Sequence, residues 1–122
     1  MSISFFTLLR IWLYVKLFTN CFSISDLRHP NIVLFLGACL EPNNVFFITE
    51  FVGQGNLHEL INERPPSWKQ RILFALHIAR GMNYLHQNDP MIVHRDLKSL
   101  NVLVRMSNIV VNSLTKINIS IF

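Results

Sequence analysis

The rhythm of apolar and polar positions changes several times along the chain, and each change marks an element. NIVLFLGACL (31–40) is a short apolar run rich in β-formers, and VFFIT (45–49) is a second. Between them lies EPNN (41–44), whose Pro and paired Asn are turn formers, so the stretch predicts a β-hairpin with a four-residue loop. After Gly53 and Gly55, NLHELINE (56–63) spaces Leu57, Leu60 and Ile61 as a helix does, and Pro65 and Pro66 then break the chain. SWKQRILFALHIARGMNYLHQN (67–88) carries the strongest helical pattern, with Ser67 as its N-cap. Trp68, Ile72, Ala75, Leu76, Ala79, Met82 and Leu85 recur there at intervals of three and four, which predicts that this face is buried. Gly81 weakens a helix, and close packing against a neighbour would justify it. Asn88, Asp89 and Pro90 end the helix, and MIV (91–93) and VLV (102–104) predict two short strands around HRDLKSLN (94–101). The remainder, RMSNIVVNSLTKINISIF (105–122), alternates apolar residues with Asn and Ser; it reads either as strand or as sequence never selected to fold.

The order of hairpin, short helix, long helix, strand, loop and strand is α+β. A chain of 122 residues is long enough for one domain with its own core. Hydrophobic residues make up 51% and charged ones 15%, which excludes a disordered tail and reads as core with too little surface, as in a piece of something larger. The net charge of +4 comes from scattered basic residues, so the surface is slightly basic and carries no nucleic-acid footprint. Cys21 and Cys39 fit no metal or redox spacing and suit a reducing, cytoplasmic compartment. Residues 1–24 are the most apolar part of the chain, yet Arg10 and Lys16 interrupt them and no cleavage pattern follows. A buried segment is the favoured reading of these residues, and a membrane segment is the alternative.

HRDLKSLN concentrates the chemistry. Phosphoryl transfer from a nucleotide needs a group to orient the attacking hydroxyl, cations to offset charge on the transferring group, and ligands for magnesium. Asp96 can accept or orient a hydroxyl, Lys98 can neutralise a γ-phosphate, and Asn101 offers a neutral oxygen to a cation that prefers oxygen. His94 and Arg95 would support the loop, Arg95 being a natural partner for a phosphorylated residue. His29, His58, His77 and His86 have no metal-ligand spacing with nearby Cys or acid, and Trp68 and Met82 read as helix core.

With those residues in view, the chain resembles a protein kinase catalytic domain. HRDLKSLN matches the H-R-D-L-x-x-x-N catalytic loop at every fixed position. Lys98 resembles the serine/threonine-specific version, and the Ser after it is common in the tyrosine-kinase-like group, which includes Raf-like MAP kinase kinase kinases. LRHPNIVLFLGAC (27–39) resembles the end of the family's αC helix and its fourth strand, and VFFITEF (45–51) resembles the fifth strand running into the hinge. The helix with ARGMNYLH (79–86) resembles αE, and GQGNLH (53–58), despite its two glycines, resembles the start of αD and not a phosphate-binding loop. The resemblance covers residues 25–104 and implies a partial kinase fold, from the end of the N-lobe to the start of the helical C-lobe. It implies ATP and Mg2+ as cofactors and a protein substrate or partner kinase. It also implies roles for particular residues: Thr49 as gatekeeper, the Glu50 and Val52 backbones and Leu103 around adenine, Phe35 and His94 in the regulatory spine, and Asp96, Lys98, Arg95 and Asn101 in the catalytic loop.

Outside 25–104 the pattern departs from the family, leaving a divergent apolar segment at 1–24 and a divergent tail at 105–122. Lys16 lies too close to His29 to be the third-strand Lys, and the position of its αC Glu partner falls near Asn20. Thr115, Lys116 and Ile117 echo the strand before Asp-Phe-Gly, but no register supplies that motif and no acid follows Asp96. The expectation is a chain inactive as it stands, with apolar faces of the long helix left exposed. A truncated gene, a pseudogene and a gene reading through introns all fit, as does a non-catalytic fragment that occupies a partner kinase.

Overall fold

The computed structural model describes residues 24–41, 44–106, 109–111 and 120–121. The N-terminal apolar segment up to residue 23, with Lys16 and Asn20, lies outside the described residues, as do residues 115–117.

The predicted hairpin is present and tighter than expected. Strands β1 (Phe35–Glu41) and β2 (Asn44–Thr49) pair antiparallel from Phe35↔Thr49 to Glu41↔Asn44, with an irregularity between Phe35 and Gly37. Glu41 and Asn44 are therefore strand residues, and two residues connect the strands in place of the expected four. Nor does the apolar run 31–40 form one strand. Its first residues turn to a different partner: Val33 N donates to Val111 O at 3.0 Å, and Asn31 O accepts from Val111 N at 2.8 Å.

The two helices begin as their sequences dictate. Helix α1 (Leu57–Glu63) is capped by Asn56, whose side chain accepts from the Glu59 amide while Glu59 reaches back to the Asn56 N–H. Helix α2 (Trp68–His86) repeats this reciprocal capping with Ser67 and Gln70. Each arrangement satisfies two amides that the first turn leaves unbonded.

The buried face of α2 agrees with the expected one at Met82 and Leu85 and departs from it over the first half of the helix. Phe74, His77, Ile78, Gly81, Met82 and Leu85 turn inward. Trp68 (75% exposed), Ile72 (54%) and Leu76 (44%) lie on the outside. Both sets recur at helical spacing, and the tertiary partners choose between them. The exposed set matches the expectation that the long helix would present an uncovered apolar face.

Three short strand pairings and two contact regions complete the α+β architecture. After α2 come β3 (Ile92–Val93), a 3₁₀ turn (Ser99–Asn101), β4 (Val102–Val104), β5 (Ile109–Val111) and β6 (Ser120–Ile121). β4 pairs antiparallel with β5, and β3 with β6, so the two strands that flank the loop pair elsewhere and not with each other. The larger core joins Ile24, Leu27, Ile32, Phe35, Leu85, Ile92 and Val111, with Met82 and Tyr84 packed against it. A second region packs Leu57 against Val102, Val104 and Ile109. Among the described residues no helix is long and apolar enough to cross a membrane.

Gly81 is where α2 meets the segment before β1. A Cβ at Gly81 would lie 2.8 Å from the Asn31 carbonyl oxygen and 3.2 Å from Ile32 Cδ1. Gly81→Ala should therefore destabilise the chain by about 1 kcal/mol net, overpacking of roughly 1–3 kcal/mol exceeding a helix-propensity gain of up to about 1 kcal/mol. The urea midpoint would fall, whereas Asn83→Ala on the exposed side of α2 would hold or raise it.

His77 is 8% exposed and its Nδ1 has no hydrogen-bond partner. Burial first, and the Arg80 guanidinium second, hold its pKa below the ordinary 6.5. The unfolded chain thus binds the proton more readily, and stability rises with pH across the interval between the two values. The contribution is complete above the unfolded value and is lost as pH falls through the lowered folded one. Denaturation midpoints should drop between pH 7.5 and 5.5, and His77→Gln should shrink that drop. His29, lowered by the same two causes, would leave a remainder.

Candidate active-site loop

The eight residues between β3 and β4 fold back on themselves. Asp96 N donates to His94 O at 2.9 Å and to His94 Nδ1 at 3.2 Å, and His94 is buried. Arg95 takes a φ of 60°, a left-handed conformation that side chains other than glycine rarely adopt, and this reverses the chain just before Asp96. The 3₁₀ turn then closes with Asn101 N donating to Lys98 O at 2.8 Å.

Three side chains named from the sequence converge here. Asn101, buried immediately before β4, donates from Nδ2 to Asp96 O at 2.6 Å and to Asp96 Oδ2 at 3.0 Å. Lys98 Nζ stands 3.4 Å from Asp96 Oδ1. One carboxylate oxygen thus faces a cation and the other an amide. Asn101 spends its nitrogen on Asp96, and its Oδ1 has no hydrogen bond among the described residues. Asp96 is partly buried and Lys98 exposed, so the carboxylate is held in place and the ammonium is not.

The residues read as the adenine side gather around the end of β2. Val33 and Val52 are buried together with Leu103 of β4 packed against them. Glu50 N donates to Leu34 O at 2.9 Å, and Thr49 Oγ1 donates to Glu50 O at 3.2 Å. The Glu50 side chain is also engaged: Oε1 accepts from Leu34 N at 2.9 Å, and Oε2 meets Arg105 at 2.7 Å. Arg105 was absent from the sequence reading. It is 55 residues from Glu50, and no spacing signal links the two.

Beyond Val52 the chain crosses to β4, where Val104 N donates to Gly55 O at 2.9 Å. Gly55 has φ +71° and Asn56 caps α1, so GQGNLH is a helix entry, as its position implied. Phe35 lies in the larger core. No group of three or more His, Cys, Asp or Glu among the described residues can hold a metal.

This loop between two short strands, preceded by a capped long helix and joined to a strand pair through a short connector, belongs to a part of the protein kinase fold. The family described as protein tyrosine and serine/threonine kinase matches residues 14–117, and the chain belongs to it. Among curated proteins it is 55% identical over 84 residues to "Probable serine/threonine-protein kinase SIS8" of Arabidopsis thaliana, covering 66% of this chain and 8% of that protein. It is 48% identical over 85 residues to serine/threonine-protein kinase CTR1 of the same plant, covering 66% of this chain and 10% of that protein. A Dictyostelium discoideum protein, "Probable serine/threonine-protein kinase drkD", is 46% identical over 83 residues, with 66% of this chain and 6% of that protein covered. The chain therefore spans a tenth or less of each of these relatives.

If Asn101 fixes the loop, Asn101→Ala should speed exchange of the Asp96 and Asn101 amides by about fivefold to tenfold, the worth of roughly 1 kcal/mol of net hydrogen bonding. Lys98→Ala, which removes an exposed ion pair, should change it by less than about twofold. Amide exchange followed by NMR separates the two.

Proposed function

We propose that this chain carries the hinge and catalytic-loop portion, residues 25–104, of a serine/threonine protein kinase of the Raf-like group. The observation that carries the reading is the meeting of Asp96, Lys98 and Asn101 on one loop, with the Asp96 carboxylate held at 3.0 Å by the Asn101 amide. In this reading Asp96 receives or orients the substrate hydroxyl, Lys98 offsets charge on the transferring phosphoryl group, and Arg95 answers a phosphorylated residue of the assembled kinase.

The donor set suits the cofactors that kinases use. The spare Asn101 Oδ1 is a neutral oxygen of the kind that Mg2+ accepts. Val33, Val52 and Leu103 form an apolar patch that suits a purine face, beside the Glu50 carbonyl and the Val52 backbone. Thr49, at the end of β2, would limit the depth of that space. Bound ATP would supply the phosphoryl group, and Mg2+ would offset its charge.

The 122 residues supply only part of this machinery. Their sequence offers no glycine-rich loop, no ion-paired third-strand Lys and no Asp-Phe-Gly. Charge stabilisation of that kind is usually the largest single part of catalysis. We therefore expect the chain by itself to transfer no appreciable phosphoryl group. Purified chain with Mg-ATP and a generic Ser/Thr substrate should incorporate no label above the Asp96→Asn background. Robust incorporation abolished by Asp96→Asn would overturn the inactive reading and leave the kinase reading standing.

A second reading, a non-catalytic fragment that occupies a partner kinase, is favoured by the uncovered stripe of Trp68, Ile72 and Leu76 on α2. Capture of a full-length kinase by wild-type chain, lost in Ile72→Asp, would support it.

A further inference from the structure

The two helices line a half-open cleft that the kinase reading does not use. Leu57 and Ile61 of α1, Pro66 of the connector, and Phe74 and Ile78 of α2 wall a space of about 270 Å³. Ala75 completes the wall, and Arg71 is the one charged residue in it.

The position of Arg71 is set by its own chain. Its Nε donates to the carbonyl of Pro66, which also lines the cleft, at 2.9 Å. That bond leaves the terminal nitrogens without an ion pair or hydrogen bond among the described residues. Across Pro66 lies a second cleft, also of about 270 Å³, lined by Gln54, Leu60, Arg64, Pro65 and Gln70. Arg64 has no ion pair among the described residues either, so two cations flank Pro66. The acids of α1, Glu59 and Glu63, fall at about 200° and 240° from Leu57 by helical spacing, away from the apolar wall. The cleft thus combines an apolar body with one cation, Arg71, and no acid in its lining.

We propose that this cavity is a binding site for a small apolar carboxylate, its ring or branched body between Phe74, Ile78 and Leu57 and its carboxylate on Arg71. An engineered apolar cavity of about 150 Å³ takes benzene, so this space is on the scale of a two-ring body. The guanidinium fork suits a carboxylate, which two parallel N–H donors can hold together. The site lies on the α1–α2 side and is independent of the phosphotransfer reading. It requires neither Asp96 nor a bound nucleotide.

The test titrates the 122-residue chain with 2-naphthoate and, in parallel, with the neutral 2-naphthamide, reading saturation-transfer NMR and calorimetry. Naphthoate should bind about tenfold or more tightly than the amide, the margin expected of a charge-assisted bidentate pair. Arg71→Gln should remove that margin and leave the amide unchanged, whereas Arg71→Lys should restore part of it. Ala75→Phe, at an exposed position on the cavity wall, should abolish binding of both probes. Circular dichroism melts of each variant separate loss of the site from loss of the fold, and Asp96→Asn should bind like wild type. No binding at millimolar naphthoate would overturn the proposal. So would equal affinity for acid and amide, or binding that survives Ala75→Phe in a folded variant. Uptake of apolar peptides without uptake of naphthoate would assign the cavity to a protein segment and overturn the small-ligand reading.

Discussion

Gly81 has no side chain, and the backbone of Asn31 stands where one would be. That approach, 2.8 Å from the place of a Cβ to the Asn31 carbonyl oxygen, sets α2 against the segment that leads into β1. The same carbonyl oxygen accepts from Val111 N of β5, and the buried Asn31 Nδ2 donates to Ile109 O at 2.9 Å. His29 stacks on Tyr84 at 4.8 Å and accepts from Asn31 N at Nδ1, while the Tyr84 hydroxyl accepts from Arg28 N. A stretch of four residues is therefore fastened to the long helix and to β5 together. The strand pairs on either side have only two strands each, and such ribbons are marginal in water without a partner. The junction at Asn31 supplies that partner and brings Ile32, Leu85 and Val111 into one core.

From the junction the order passes to the loop in two steps. β5 fixes β4 through the register Val102↔Val111 to Val104↔Ile109, and Asn101 ends the 3₁₀ turn immediately before β4. Asn101 then reaches back to Asp96. Along the same strand, Leu103 meets Val33 and Val52, and Val104 bonds Gly55. One three-residue strand therefore follows directly on the amide that holds the carboxylate and bears the side chain that faces the Val33–Val52 patch. Glu50 adds a second tie, with one oxygen on the Leu34 amide and the other on Arg105 just past β4.

What could be read in advance divides by range of interaction. Both helix starts were legible because capping acts within four residues, and Ser67…Gln70 states it in the letters. The loop was legible for the same reason: the bonds that tie Asp96 to His94, Lys98 and Asn101 span at most five residues, so these side chains come together by local geometry. The buried face of α2 was legible only in part. Over the first half of the helix, Trp68, Ile72, Leu76 and the inward Phe74, Ile78 both fit helical spacing, and the tertiary partners decide which face turns inward. Gly81 was the available sign, since a glycine justified by close packing must itself lie on the packed face. The pairing of residues 31–33 with β5 and the bond of Glu50 to Arg105 join positions dozens apart, and a single sequence has no signal for them.

The same division explains how the family can be plain while catalytic competence is a separate question. A loop stabilised by its own residues keeps its shape with modest help from the remainder of the chain, so eight letters suffice to identify it. Phosphoryl transfer is different in kind, because its charge is spread over several oxygens and is met by groups from separate elements. Within the described loop the Asp96 carboxylate meets the Lys98 ammonium and the Asn101 amide, both drawn from the next five residues. That arrangement holds a carboxylate in place, and Lys98, turned toward it, is a single positive charge. The local half of such a site is written by short-range geometry, and the electrostatic half depends on elements that this local geometry cannot replace.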